Sequence, residues 1–105
     1  MAGAEYFGFV VRYQHGEDVE LTEHADASVV TLNVCLGGDF YGAELYFRPA
    51  DGAEVRYTHR PGVAVVHGGT LRHGVDPLQR GERTNLVMWC RHRAPKAGEV
   101  LARLP

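Results

Sequence analysis

Glycine and proline cut this chain so often that no ten-residue stretch before its tail holds a convincing helical repeat. The punctuation falls at Gly37-Gly38, Pro49-Ala50-Asp51-Gly52, Pro61-Gly62, Gly68-Gly69 and Pro77. Glycine supplies turn dihedrals that other residues resist, and proline removes a backbone donor, so these pairs end regular elements. The runs between them are short and rich in Val, Tyr, Phe and Leu. They predict strands at Phe7–Tyr13, Val19–His24, Val29–Leu36, Glu44–Phe47, Ala53–Tyr57, Val63–His67 and Asn85–Arg91. Short strands with turns between them point to an all-β sandwich or barrel-like roll. A weak helical pattern is confined to Gly98–Leu104. There is no internal repeat or linker, and 105 residues suit one small domain spanning 1–105.

Alternation within the strands gives two readings. In Val29–Leu36, Val30, Leu32, Val34 and Leu36 share one face, and Thr31, Asn33 and Cys35 share the other. In the last strand Leu86, Met88 and Cys90 oppose Arg83, Asn85, Val87 and Trp89. A sheet with a dry inner face and a wet outer face explains this. A roll with a polar cavity inside explains it too, and would leave the apolar face outside in need of cover. Periodicity alone favours the first, and the placement of the histidines favours the second.

Bulk properties narrow the partners. A net charge of −2 with eleven scattered basic residues argues against nucleic acid, which calls for clustered Lys and Arg. Only Arg91, His92, Arg93 and Lys96 form a mild basic cluster. No apolar run reaches the roughly 18 residues of a membrane span. Residues Met1 to Tyr6 lack a basic stretch followed by an apolar one, so no signal peptide is expected. Cys35 and Cys90 read as buried free thiols of a reducing compartment, with the cytoplasm as the default.

Chemistry enters with His24-Ala25-Asp26. In extended backbone, residues two apart point to the same side, roughly 6.5–7 Å apart at Cα, so both side chains can converge on one ion. Imidazole and carboxylate ligands suit Fe(II), and two histidines with one carboxylate leave a face of the metal open. The third ligand comes from His73 or His67. His73 is favoured because Arg83 follows it by ten residues across Pro77–Gly81, which would let His73 end one strand and Arg83 begin its hairpin partner. His67 then reads as a turn histidine. Arg83 offers a planar fork for a carboxylate, and on its strand face it joins Asn85 and Trp89. Tyr13 and Thr31 carry hydroxyls able to donate to a bound carboxylate, with Asn33 and Asn85 as helpers. Trp89 reads as a cavity wall.

The combination resembles the prolyl 4-hydroxylase-type family of Fe(II)- and 2-oxoglutarate-dependent dioxygenases. Val11-Arg12-Tyr13 is similar to the family's first core strand. The stretch from His24 to Leu36 resembles the H-x-D-x-S-x-x-T-x-N-x-x-L segment of procollagen lysyl hydroxylases, and also the small 2-oxoglutarate and iron-dependent oxygenase-domain proteins. Tyr41 to Phe47 resembles the G-G-x-L-x-F strand, and Gly81-Glu82-Arg83 to Trp89 the terminal G-E-R-x-N-L-V-x-W strand. The likeness covers residues 8–92.

The resemblance implies a double-stranded β-helix (jelly roll), here a core only, with little or no N-terminal helical support. It implies Fe(II) on His24, Asp26 and His73, with 2-oxoglutarate held by Arg83 and more weakly by Tyr13 and Thr31. Ascorbate is a possible reductant. The implied reaction hydroxylates a C–H bond of a prolyl or lysyl residue or a small molecule, releasing succinate and CO2. Cys35 stands where several relatives place a tyrosine that helps hold the co-substrate. Two other readings stay open: a non-catalytic cupin-like metal- or ligand-binding module, and a cupin dioxygenase that uses no 2-oxoglutarate, for which Arg83 would be superfluous. Val30, Leu32, Val34, Leu36, Leu86 and Met88 form an outward apolar set, which predicts a homodimer or a missing N-terminal region over that face.

Overall fold

A computed structural model describes residues 4–16 and 21–92. Nine strands occur among them: β1 Ala4–Gln14, β2 Leu21–His24, β3 Val30–Gly37, β4 Phe40–Gly42, β5 Leu45–Arg48, β6 Val55–Tyr57, β7 Ala64–Gly68, β8 Arg72–Val75 and β9 Leu78–His92. They form two antiparallel sheets. The larger has the order β1-β9-β3-β7, with β4 paired to β9, and the smaller has the order β2-β8-β5-β6. This is the double-stranded β-helix expected. Residues 17–20 and the tail, including Gly98–Leu104, lie outside the described residues.

Each expected strand has a counterpart shifted by a few residues. β4 and β8 are not among the expected strands, because they are short, and β8 (Arg72-His73-Gly74-Val75) lacks the apolar alternation that marks a strand in sequence. The expected hairpin between His73 and Arg83 is overturned. β8 lies between β2 and β5 in the smaller sheet, whereas β9 lies between β1 and β3 in the larger. The chain crosses between sheets at Asp76-Pro77, where Asp76 N–H donates to the Glu44 carbonyl and Ala43 N–H to the Pro77 carbonyl. The residues read as a turn are instead the first part of β9. Gly81, at φ +83°, lets β9 pass close to Asp39, with Phe40 paired opposite.

The two faces of the larger sheet decide between the readings of the alternation. Thr31, Cys35, Arg83, Asn85 and Val87 are buried and point inward. Val10, Val30, Leu36 and Val66 are exposed on the outside. The polar set therefore lines the interior, and the dry-inside reading fails. Apolar packing concentrates where the sheets meet, in a cluster of Tyr13, Ala43, Leu45, Phe47, Val75 and Leu78. The outside of the smaller sheet differs in kind. There Glu23 bridges Arg48 and Arg72, and Glu54 bridges Arg48 and Arg56. Cys35 and Cys90 are both free. No helix among the described residues is long and apolar enough to cross a membrane.

Candidate metal and co-substrate site

Antiparallel pairing of β2 with β8 sets His24 directly opposite His73, their ring centroids 4.4 Å apart. Asp26 lies just past the end of β2, so convergence does not come from continuous extended backbone, as the i and i+2 argument assumes. It comes from the turn that follows. Asp26 N–H donates to the Gly69 carbonyl at 2.8 Å, and Gly69 N–H to that of Val29 at 3.1 Å. A Cβ on Gly69 would collide with the Ser28 carbonyl, so only glycine lets the two loops close together.

Asp26 Oδ1 then lies 3.2 Å from Nε2 of both His24 and His73. The three ligand atoms fall within 4.8 Å of one another. The other nitrogen of each ring is engaged: His24 Nδ1 bonds the Thr22 carbonyl and His73 Nδ1 that of Leu71, each at 2.7 Å. A carbonyl only accepts, so the proton sits on Nδ1 and the Nε2 lone pair faces the convergence point. Backbone bonds of this kind orient histidine ligands in metal sites. Burial holds the His73 imidazole below its ordinary pKa and so favours the neutral, ligating form. The donor set fits Fe(II).

Thr31 is placed differently from the expectation. Its hydroxyl donates to Asp26 Oδ2 at 2.7 Å and also meets the Ser28 hydroxyl at 2.7 Å. A threonine has one hydroxyl proton, and Asp26 takes it, so the role as a donor to co-substrate is corrected to orientation of the metal-ligating carboxylate. His67 stands on the same side. Its Nε2 is 4.0 Å from Asp26 Oδ2 and its Nδ1 bonds the Gly68 carbonyl at 2.9 Å. It lies beside the three-residue cluster and outside it.

A cavity of about 210 Å³ runs from this cluster between the sheets. Phe9, Val87 and Trp89 wall one side, and Tyr13, Asn33 and Leu45 extend it away from the histidines. Trp89 packs edge-on against Phe9, with centroids 5.6 Å apart, which suits a wall. Behind Tyr13 lies Arg83, 0 % exposed. Its guanidinium is stacked between the rings of Tyr13 at 4.9 Å and Phe40 at 5.1 Å. Nη1 donates to the Ala43 carbonyl at 2.6 Å, while Nε and Nη2 complete no well-formed hydrogen bond among the described residues, with the Tyr13 hydroxyl close by. Ala43 has φ +54°, a conformation non-glycine residues seldom adopt, and its carbonyl is the one Arg83 uses. Burial draws the Arg83 pKa below its ordinary value and raises that of Tyr13, the latter partly offset by the Arg83 charge.

Two nitrogens of a buried cation without partners among the described residues have the chemistry to receive a carboxylate. Of the sequence candidates, the fold gathers His24, Asp26 and His73 at one end of the interior and Tyr13 with Arg83 at the other. Sequence reasoning missed His59, which is buried beside Asn85. It sits in the Thr58-His59-Arg60-Pro61 segment, which reads as turn punctuation and carries no spacing signal.

No family model matches the chain. It is 43% identical over 97 residues to the 2-oxoglutarate and iron-dependent oxygenase domain-containing protein ICU11 of Arabidopsis thaliana, covering 82% of this chain and 24% of that protein. It is 45% identical over 92 residues to 2-oxoglutarate and iron-dependent oxygenase domain-containing protein 2 of Mus musculus, covering 82% of this chain and 26% of the relative. The chain thus spans about a quarter of the length of the curated relatives it matches. Its structure is similar to a crystal structure of a Pseudomonas putida prolyl-4-hydroxylase, with a TM-score of 0.75 and 26% identity over 86% of this chain and 53% of that one.

Proposed function

From the premise that the chain belongs to the 2-oxoglutarate- and iron-dependent oxygenase family, we propose that it hydroxylates a C–H bond, with 2-oxoglutarate leaving as succinate and CO2. The observation that carries this reading is the pairing of two sites in one interior. The His24–Asp26–His73 cluster has its lone pairs free, and Arg83 has two buried donors without partners.

His24 and His73 present Nε2, and Asp26 presents Oδ1, to Fe(II). Thr31 holds the other Asp26 oxygen so that the carboxylate cannot swing away from the ion. Arg83 receives the distal carboxylate of 2-oxoglutarate through Nε and Nη2, and Tyr13 screens that contact from solvent. Together, Fe(II) and 2-oxoglutarate supply the oxidising chemistry, one oxygen atom of O2 entering the C–H bond and the other the succinate. Phe9, Val87 and Trp89 keep bulk water from the reacting centre. A prolyl or lysyl side chain is the substrate class the reading favours, with a small molecule as the other.

The test is succinate release from 2-oxoglutarate with Fe(II) and ascorbate. Wild type is expected to turn over and Asp26→Ala to lose turnover. Iron binding without any succinate would overturn the reading in favour of a non-catalytic cupin-like module. The exposed apolar face of the larger sheet is covered, in this reading, by a second copy or by an N-terminal region outside this sequence. Leu32→Asp or Met88→Asp would then abolish association in light scattering, and a wild-type chain that stays monomeric would exclude the dimer. A reducing cytoplasmic setting suits the two free thiols.

A further inference from the structure

The interior holds a second set of buried polar groups next to Arg83 that the proposed reaction leaves unused. Asn85 follows Arg83 by two residues on the same inward face of β9 and is paired with Cys35 of β3. Asn85 and His59 are 1% and 2% exposed. Asn85 Nδ2 donates to Asn33 Oδ1 at 2.8 Å and to His59 Nδ1 at 2.9 Å. Because His59 Nδ1 accepts, the neutral ring carries its proton on Nε2. That Nε2–H has no partner among the described residues. The carbonyls of Val63 and Asn33 stand near the ring, but neither completes a hydrogen bond to Nε2.

His59 reaches this position from the loop between β6 and β7. The loop is fastened to β3 by Gly62 N–H to the Cys35 carbonyl at 2.7 Å and by Cys35 N–H to the Val63 carbonyl at 3.3 Å. Cys35 is itself fully buried. The charged group facing His59 is Arg83, and the titratable groups facing Arg83 are Tyr13, Cys35 and His59, none of them a carboxylate. A buried cation with two partnerless nitrogens therefore stands beside a neutral ring with a third, and no carboxylate among the described residues meets any of them. Leaving such donors unpaired in an interior is unfavourable. A carboxylate has lone pairs enough to accept all three.

We infer that His59 is a further co-substrate-binding residue, donating from Nε2 to the same distal carboxylate that Arg83 holds and selecting 2-oxo diacids over 2-oxo monoacids. The inference rests on the reading of Arg83 as the anchor. Burial and the Arg83 charge both lower the His59 pKa, which keeps the ring neutral and Nδ1 free to accept from Asn85.

Calorimetric titration of the Mn(II)-loaded chain, with 2-oxoglutarate and with 2-oxopentanoate, tests this. The monoacid lacks only the distal carboxylate. His59→Ala is expected to weaken 2-oxoglutarate binding about 10- to 100-fold, the range for a hydrogen bond to a charged group. It should leave 2-oxopentanoate within about twofold. His59→Gln, which retains an N–H donor, should recover part of the loss. Unchanged 2-oxoglutarate affinity in His59→Ala, or an equal loss for both ligands, would overturn the inference while leaving the anchor reading intact. Should His59→Ala not fold, the wild-type ring still reports. Its Nε2-bound proton resonance should shift when 2-oxoglutarate is added and not with the monoacid, and a resonance indifferent to both overturns the inference. Wild type that takes up Mn(II) but binds no 2-oxoglutarate would bring down the anchor reading and this inference together.

Discussion

The two ends of the interior are built on opposite principles. At the metal end the candidate ligands are held by completed hydrogen bonds: His24 and His73 are tied through Nδ1 to backbone carbonyls, and Asp26 Oδ2 is tied to Thr31. What stays free is a set of lone pairs. At the other end Arg83, His59 and Asn85 are buried more deeply, and four of their polar atoms have no partner among the described residues. One end presents lone pairs held in place by completed hydrogen bonds, and the other presents buried donors that a carboxylate could accept from. The proposed reaction, with a resident ion and an exchanging co-substrate, would call for this difference. The ion's ligands must stay in place between turnovers, whereas the anchor need only be complete when loaded.

The largest effect that would break this contrast is expected from Asp26→Ala. It removes the oxygen shared by both histidines, and Fe(II)-dependent turnover should fall on the order of a thousandfold. Retained iron affinity, measured by competition with a chelator, would show that the cluster is not the metal site. Next comes Arg83→Met. Its 2-oxoglutarate affinity should drop on the order of a hundredfold, and thermal stability should hold or rise by about 1–4 kcal/mol, as when buried charges give way to apolar groups. A sharp drop in melting temperature would show instead that Arg83 stabilises the apo fold. Thr31→Val sharpens the metal side. It keeps the strand shape and removes the bond to Asp26 Oδ2, with an expected loss of about 10- to 100-fold in Fe(II) affinity. Little change in 2-oxoglutarate affinity at saturating metal would separate it from the anchor.

The smallest effect concerns pH. Burial lowers the pKa of His59 and His73 in the fold, so the unfolded chain binds more protons once pH drops below about 6.5. Stability is therefore full above that value and declines on acidification, by at most about 1.4 kcal/mol per pH unit per histidine. Thermal melts of metal-free protein at pH 7.5 and pH 5 should show the fall, and His59→Gln should reduce its slope.

Much of the site was legible because its residues belong to strands with regular spacing. His24-x-Asp26 places two ligands near each other within one local segment, and the inward alternation Arg83, Asn85, Val87 follows from the two-residue repeat of a strand. Thr31 was legible as an inward residue and not as the partner of Asp26. That contact depends on the turn through Ser28, which Gly69 of a distant loop makes possible. His59 carried no sequence signal at all, because a loop has no repeat to say which way a side chain points. The hairpin drawn from His73 to Arg83 failed for a related reason. Ten residues are enough for a hairpin and enough for a crossover between sheets, and local spacing does not choose between them.

Strand periodicity and glycine–proline punctuation by themselves determined that this chain makes short antiparallel strands, and its few histidines and acids limited which groups were available for metal. Only the tertiary structure decided that the polar faces turn inward, that His24 meets His73 across β2 and β8, and that Arg83 is buried against Tyr13 and Phe40. Alternation is a local property of the backbone, identical whichever face is buried. The choice of face, and the pairing of residues far apart in the chain, follow from how two whole sheets close over one another.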